Sequence, residues 1–192
     1  MTTLVAHATA TAQWHALVTE AESAAACPLV EELESYLVFL LMRFSRKPEM
    51  TGNIIALDYL NGMLARGHVK QSRLRDVGDQ CLLYSGLFPQ QAGHRRVRIS
   101  YFVDLGRSAY QQLSCGLGNS YAELYAHLSQ DFVALMDVLH AIRRLGSPVP
   151  CLDPLSAYEL WNDTGSRQAY QTLRRTSNAQ PVAVNRQIKA VH

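Results

Sequence analysis

The chain has 192 residues, 48% of them hydrophobic and only 18% charged, so it is long enough for one domain with its own core. Typical domains carry about 25% charged residues, and the shortfall favours a protein whose surface is partly covered by another chain. The formal net charge of +2 is too small to indicate a nucleic-acid-binding protein.

Helical periodicity begins close to the first residues of the chain. It predicts a first helix over residues 10–26, which ends before Pro28. A second helix over residues 29–44 carries apolar side chains on every face, so we expect it to lie buried at the centre of a bundle. A third helix is predicted over residues 53–66, with Gly67 at its end.

A long hairpin of two helices is predicted over residues 69–113, with its turn between Phe88 and Arg98. The sequence Ser-Tyr-Ala-Glu at residues 120–123 is a capping box, and it begins a helix that the apolar stripe extends to residue 145. Two short helices follow, and both end before residue 177.

Residues 178–192 show no period, and we expect an extended or mobile tail there. No stretch alternates as a strand does. The sequence therefore predicts one all-α domain over residues 1–177, a helical bundle of about seven or eight helices around a buried central helix and the long hairpin.

The cysteines and the first residues of the chain indicate the cellular compartment of the protein. The spacing of the cysteines matches no metal-binding or redox motif, which favours free thiols in a reducing compartment. Residues 1–10 lack the basic region of a signal peptide, and the longest apolar run is far shorter than the roughly 20 residues of a membrane span. We expect a cytoplasmic protein that does not enter a membrane. The four cysteines are Cys27, Cys81, Cys115 and Cys151.

Charge is divided unequally between the two ends of the chain. Residues 1–42 contain no Lys or Arg, and residues 164–192 contain no Asp or Glu. Such ends can attract each other between two chains, although each run is also typical of a solvated helix face. Together with the low charge content, this favours a non-enzymatic interaction or regulatory domain that contacts a second copy of itself or another protein.

Two acid–histidine pairs in the helix over residues 120–145 have spacings that can serve a metal: Glu123 with His127, and Asp137 with His140. They lie beside or opposite the apolar stripe, and no second helix supplies a matching motif. We interpret them as a solvated face and expect no metal.

Nothing in the chain resembles a catalytic motif. It contains no Gly-x-Ser-x-Gly elbow and no glycine-rich phosphate loop, so no catalytic residue is assigned and no cofactor is expected. A basic cluster, His94-Arg95-Arg96 with Arg98, is typical of a solvated turn, and the alternative is a contact with an anion or an acidic partner.

The alternative function is an enzyme or small-molecule-binding protein with a pocket beside the hairpin. Asp79 and Arg107 lie at similar distances from the turn, and apolar neighbours surround Asp79, so we predict a partly buried Asp79–Arg107 ion pair. Asp104 competes for the same guanidinium. The candidate ligand-binding residues are Asp79, Tyr84, Arg96, Tyr101, Asp104, Arg107 and Tyr110.

Four runs of the sequence carry a resemblance: EELESYLVFLLMRF at residues 31–44, DVGDQCLLYSGLFP at 76–89, RISYFVDLGRSAYQQL at 98–113 and DPLSAYELWNDTGSR at 153–167. They resemble a group of bacterial helical proteins of similar length, and the resemblance covers most of the chain except its two ends. It implies a bacterial, single-domain helical protein. Because that group has no established activity or binding residues, the resemblance implies neither.

Overall fold

A computed structural model describes residues 9–46, 55–90, 97–116, 120–147 and 152–176. Within these ranges the chain folds into nine helices and no strand, which confirms the predicted all-α bundle. The helices are α1 (Ala10–Ala25), α2 (Glu31–Arg46), α3 (Ile55–Leu64), α4 (Gly67–Gly86), α5 (Ile99–Gly116), α6 (Ser120–Gln130), α7 (Phe132–Gly146), α8 (Pro154–Thr164) and α9 (Arg167–Thr176).

The helix at the centre of the bundle is α4. Every residue from Val77 to Gly86 is buried, and the helix packs against α3, α5 and α7. The predicted hairpin is confirmed, since α4 and α5 pack against each other along their length. The predicted tail at residues 178–192 lies outside the described residues.

The expectation that the helix over residues 29–44 is covered on every side is wrong. Leu37 and Leu40 of α2 are buried, but Phe39 is 62% exposed. An apolar composition shows that a helix has more than one apolar face, but it does not show which of those faces the rest of the chain covers.

Glycines allow the central helices to approach closely. A Cβ added at Gly78 of α4 would lie 2.4 Å from the ring of Tyr110 on α5, and one added at Gly106 of α5 would lie 2.5 Å from the ring of Phe132. Two turns further along α4, a Cβ at Gly86 would lie 2.5 Å from Leu139 of α7. These contacts set the spacing of α4, α5 and α7.

The predicted single helix over residues 120–145 is two helices, α6 and α7, which meet at Asp131. The apolar residues Leu128, Phe132 and Leu135 are buried on both sides of this break, so the apolar period continues through it. The periodicity therefore did not predict the break. Because one predicted helix is two helices, the described residues form nine helices, where the sequence predicted seven or eight.

Side chains from distant helices bind the carboxyl end of α1. The Ala24 carbonyl accepts a hydrogen bond from Arg144 of α7 (3.0 Å), and the Ala25 carbonyl accepts one from Gln168 of α9 (3.4 Å). These bonds satisfy carbonyls that the end of a helix leaves unpaired. No helix among the described residues is long and apolar enough to cross a membrane.

Candidate functional site

A cluster of polar side chains is built around Asp79, which is buried in the middle of α4. Its Oδ1 accepts hydrogen bonds from the hydroxyls of Tyr36 (2.6 Å) and Tyr110 (2.7 Å), and its Oδ2 accepts one from the guanidinium of Arg43. Tyr36 and Arg43 come from α2, and Tyr110 comes from α5. We call these four residues the Asp79 cluster, and it joins three helices through one carboxylate.

The electrostatics of the Asp79 cluster are those of a structural ion pair. Burial raises the pKa of Asp79, and the Arg43 charge and the two tyrosine hydroxyls oppose that effect. Burial and the Asp79 charge raise the pKa values of Tyr36 and Tyr110 well above the ordinary 10.0, so both hydroxyls keep their protons and donate them. Both carboxylate oxygens are thus occupied from within the protein.

The predicted Asp79–Arg107 ion pair is wrong. Arg107 is exposed, and its Nε donates to the carbonyl of Ser129 on α6 (3.1 Å), while the Ser129 hydroxyl donates to the Arg107 carbonyl (3.0 Å). Equal distance from the turn placed the two residues at a similar height, but it did not determine which side of α5 carries Arg107. The sequence signal for the true partner is the spacing of Tyr36 and Arg43, which are seven residues apart and lie on one side of an apolar helix.

The other predicted site residues lie apart from this cluster. Tyr84 is buried and stacks on Phe102 with a centroid distance of 5.4 Å, whereas Tyr101 is 40% exposed. Asp104 is exposed. Arg96 lies outside the described residues. Of the seven predicted residues, the structure therefore brings together Asp79 and Tyr110.

The interpretation of Asp137 and His140 as a solvated face is wrong, because both are buried. Asp137 accepts hydrogen bonds from the Ser166 hydroxyl (2.5 Å) and the Arg167 backbone N–H (2.9 Å), so it binds the start of α9. Nε2 of His140 donates to the carbonyl of Ser85 (2.8 Å). Burial lowers the pKa of His140 to about 4, which keeps the ring neutral.

The other acid–histidine pair, Glu123 and His127, is exposed, as the solvated-face interpretation requires. His127 instead lies 3.5 Å from Glu32 of α2. Among the described residues, no group of three or more His, Cys, Asp or Glu side chains could hold a metal ion. The three cysteines that the structure describes, Cys27, Cys81 and Cys115, are free thiols.

A groove of about 350 Å³ lies between α4, the end of α5 and the start of α6, and we call it the α4–α6 groove. The α4 residues that line it follow helical spacing and share one side of the helix. Arg75 also lines a smaller cavity of about 200 Å³ beside the Asp79 cluster. The residues that line the groove are His68, Gln71, Ser72, Arg75, Leu113, Tyr121 and Tyr125.

A second surface feature is the outer side of α3. Leu57, Leu60 and Leu64 are 53%, 58% and 83% exposed, and their spacing of three and four residues places them on one side of the helix. We call these three residues the leucine face. The opposite side of α3, with Ile55 and Gly62, is buried. The sequence predicted this helix but indicated no function for it, although the apolar residues on both of its sides follow helical spacing in the sequence.

Comparison of the chain with models of protein families, with curated proteins and with solved structures finds no match. Three features of the described residues bear on function: the Asp79 cluster, the α4–α6 groove and the leucine face. The Asp79 cluster joins helices, whereas the groove and the leucine face are open to other molecules.

Proposed function

We propose that the protein is a non-enzymatic helical interaction domain that acts through the leucine face of α3. The observation that carries the proposal is the exposure of three leucines on the side of α3 opposite its buried side. A helix that is apolar on both sides is normally covered on both sides. A cluster of exposed large apolar residues on one helix marks a contact surface more often than scattered single residues do.

The buried ionisable groups support a role in contact rather than in catalysis. Asp79 and Asp137 each accept hydrogen bonds from other helices, and His140 of α7 bonds the Ser85 carbonyl of α4. These groups hold helices together. A catalytic acid or base must instead reach a substrate.

The partner we propose for the leucine face is a second copy of this chain. Asp58 lies in the first turn of α3 and Arg66 lies two residues beyond its end, and neither has an ion-pair partner among the described residues. In an antiparallel pair of α3 helices, the first turn of one copy faces the last turn of the other. The two ends of α3 then carry charges of opposite sign where the copies meet, and the same surface serves both copies, as a two-fold dimer requires.

The expected dimer is reversible. Full burial of three leucines from each copy contributes at most about 9–18 kcal/mol, at roughly 1.5–3 kcal/mol per side chain. Loss of translational and rotational freedom costs about 4–15 kcal/mol. The two ranges overlap, so the dimer should dissociate on dilution rather than persist as an obligate assembly.

Sedimentation of the wild-type protein over a series of concentrations tests the proposal. We expect a monomer–dimer equilibrium, and we expect Leu60→Glu and Leu64→Glu each to give a monomer, because a charge on the leucine face would be buried without a partner. Leu155→Glu is the matched control, since Leu155 lies on α8 and is 68% exposed. The proposal is wrong if the wild type is a monomer throughout, or if the control dissociates as readily as the leucine-face variants.

A further inference from the structure

We propose that the α4–α6 groove binds a small aromatic carboxylate, with Arg75 taking the negative charge and Tyr121 and Tyr125 taking the ring. This site is separate from the leucine face, and nothing in the proposed contact with a second copy requires it. The volume of about 350 Å³ is in the range of small-molecule sites in proteins.

The polar groups of the groove favour an anion. Arg75, His68, Gln71 and Ser72 all present N–H or O–H donors, and no carboxylate among the described residues lines the groove. In chain order these four residues are spaced three, one and three positions apart along α4, so they lie on one side of the helix. The donors on that side line the groove. A planar guanidinium binds a carboxylate through two parallel hydrogen bonds.

Arg75 has donor capacity to spare. Its Nε is buried and has no hydrogen-bond partner among the described residues. Its Nη2 lies 3.6 Å from Asp76, and both of those side chains are more than 40% exposed, so water weakens that pair. The stronger acceptor nearby, Asp79, is already occupied by Arg43 and two tyrosine hydroxyls. An incoming carboxylate would therefore compete at the exposed end of the guanidinium with the weak pair to Asp76.

The apolar part of the groove favours an aromatic ring. Tyr121 and Tyr125 lie one turn apart on α6 and form one wall, and Leu113 of α5 contributes an apolar surface. The ring of Tyr125 already packs near Tyr36 and Tyr110, which fixes its position. Tyr121 is exposed, so a flat ligand can stack on it.

Benzoate is the probe for the test, and its binding is followed by NMR shifts of backbone amides in the full-length protein. We expect saturable shifts that centre on Ser72, Arg75 and Tyr125. Benzamide has a similar shape without the charge, and cyclohexanecarboxylate has the charge without the aromatic ring. We expect both to bind more weakly than benzoate.

Arg75→Gln should lower benzoate affinity by roughly tenfold or more, the scale of a hydrogen bond to a charged group. Arg73→Gln is the matched control, because Arg73 is an exposed arginine of the same helix that does not line the groove. Tyr121→Ser is a second variant at an exposed position, and it should also weaken binding. The proposal is overturned by absence of saturable shifts in the groove, by benzamide binding as well as benzoate, or by equal losses in the Arg73 and Arg75 variants.

Discussion

Arg43 supplies the positive charge that keeps a carboxylate stable in the interior of this protein. Asp79 is buried beside it, and the two tyrosine hydroxyls alone would leave a net negative charge in a region of low polarity. The Arg43–Asp79 pair therefore stabilises the fold chiefly because it compensates a buried charge that would otherwise be costly. Breaking it should cost more stability than an equivalent change at the surface.

Arg43→Met should lower the free energy of unfolding by about 3–5 kcal/mol, because it leaves the buried charge of Asp79 uncompensated. The double variant Arg43→Met/Asp79→Asn should recover part of that loss, since it removes the charge as well. Arg98→Met is the control: Arg98 forms an exposed pair with Glu159, and its loss should cost at most about 1 kcal/mol. Urea unfolding of the four proteins gives the values. Equal small losses for Arg43→Met and Arg98→Met would show that the Asp79 pair is not structural.

His140 should make stability depend on pH. Its pKa is about 4 in the folded protein, against an ordinary value of 6.5, because burial disfavours the charged ring. Between these values the unfolded chain binds more protons, so stability is fully present above pH 6.5 and falls as the pH drops towards about 4. The loss over that window is roughly 3 kcal/mol.

Urea unfolding across this window, in the wild type and in His140→Gln, checks the expectation. The glutamine amide can still donate to the Ser85 carbonyl but does not titrate, so the variant should lack this part of the pH dependence. If wild type and variant lose stability in parallel, His140 does not carry the effect.

At the scale of the helices, close approach of α4 and α5 depends on glycine. Gly78→Ala should lower stability by about 1–3 kcal/mol, because the new Cβ would overlap the buried ring of Tyr110, which Asp79 holds in place. Gly116→Ala is the control, since a Cβ at Gly116 meets nothing within 4 Å, and alanine favours the helix. Thermal unfolding should rank the control at or above wild type and Gly78→Ala below it. A Gly78→Ala protein as stable as wild type would mean that the helices can shift apart at little cost.

Helical periodicity predicted most of the elements because each long helix buries one continuous apolar stripe. It did not show the break at Asp131, since the stripe continues through that residue. It also assigned Asp137 and His140 to solvent because both lie beside or opposite the apolar stripe. In the fold they pair with Ser166 and Ser85, which are distant in sequence. The need of Asp79 for a partner was predictable from its apolar neighbours, but the identity of Arg43 depends on how α2 crosses α4.

At the scale of the whole molecule, the two open surfaces lie on helices that the sequence had already located. The apolar residues on both sides of α3 and the donors on one side of α4 are visible as spacings in the sequence. Which of those sides the rest of the chain covers is decided by packing between distant helices. The leucine face and the α4–α6 groove therefore emerged only from the fold.

The proposed dimer buries the leucine face against a second copy of the chain, with the two α3 helices antiparallel. The most direct test is an isotope-filtered NOE measurement on a mixture of labelled and unlabelled wild-type chains. We predict intermolecular NOEs between the methyl groups of Leu57 or Leu60 in one copy and those of Leu64 in the other, and none from Leu155. Absence of intermolecular NOEs from all three leucines, at concentrations where the chain sediments as a dimer, would contradict it.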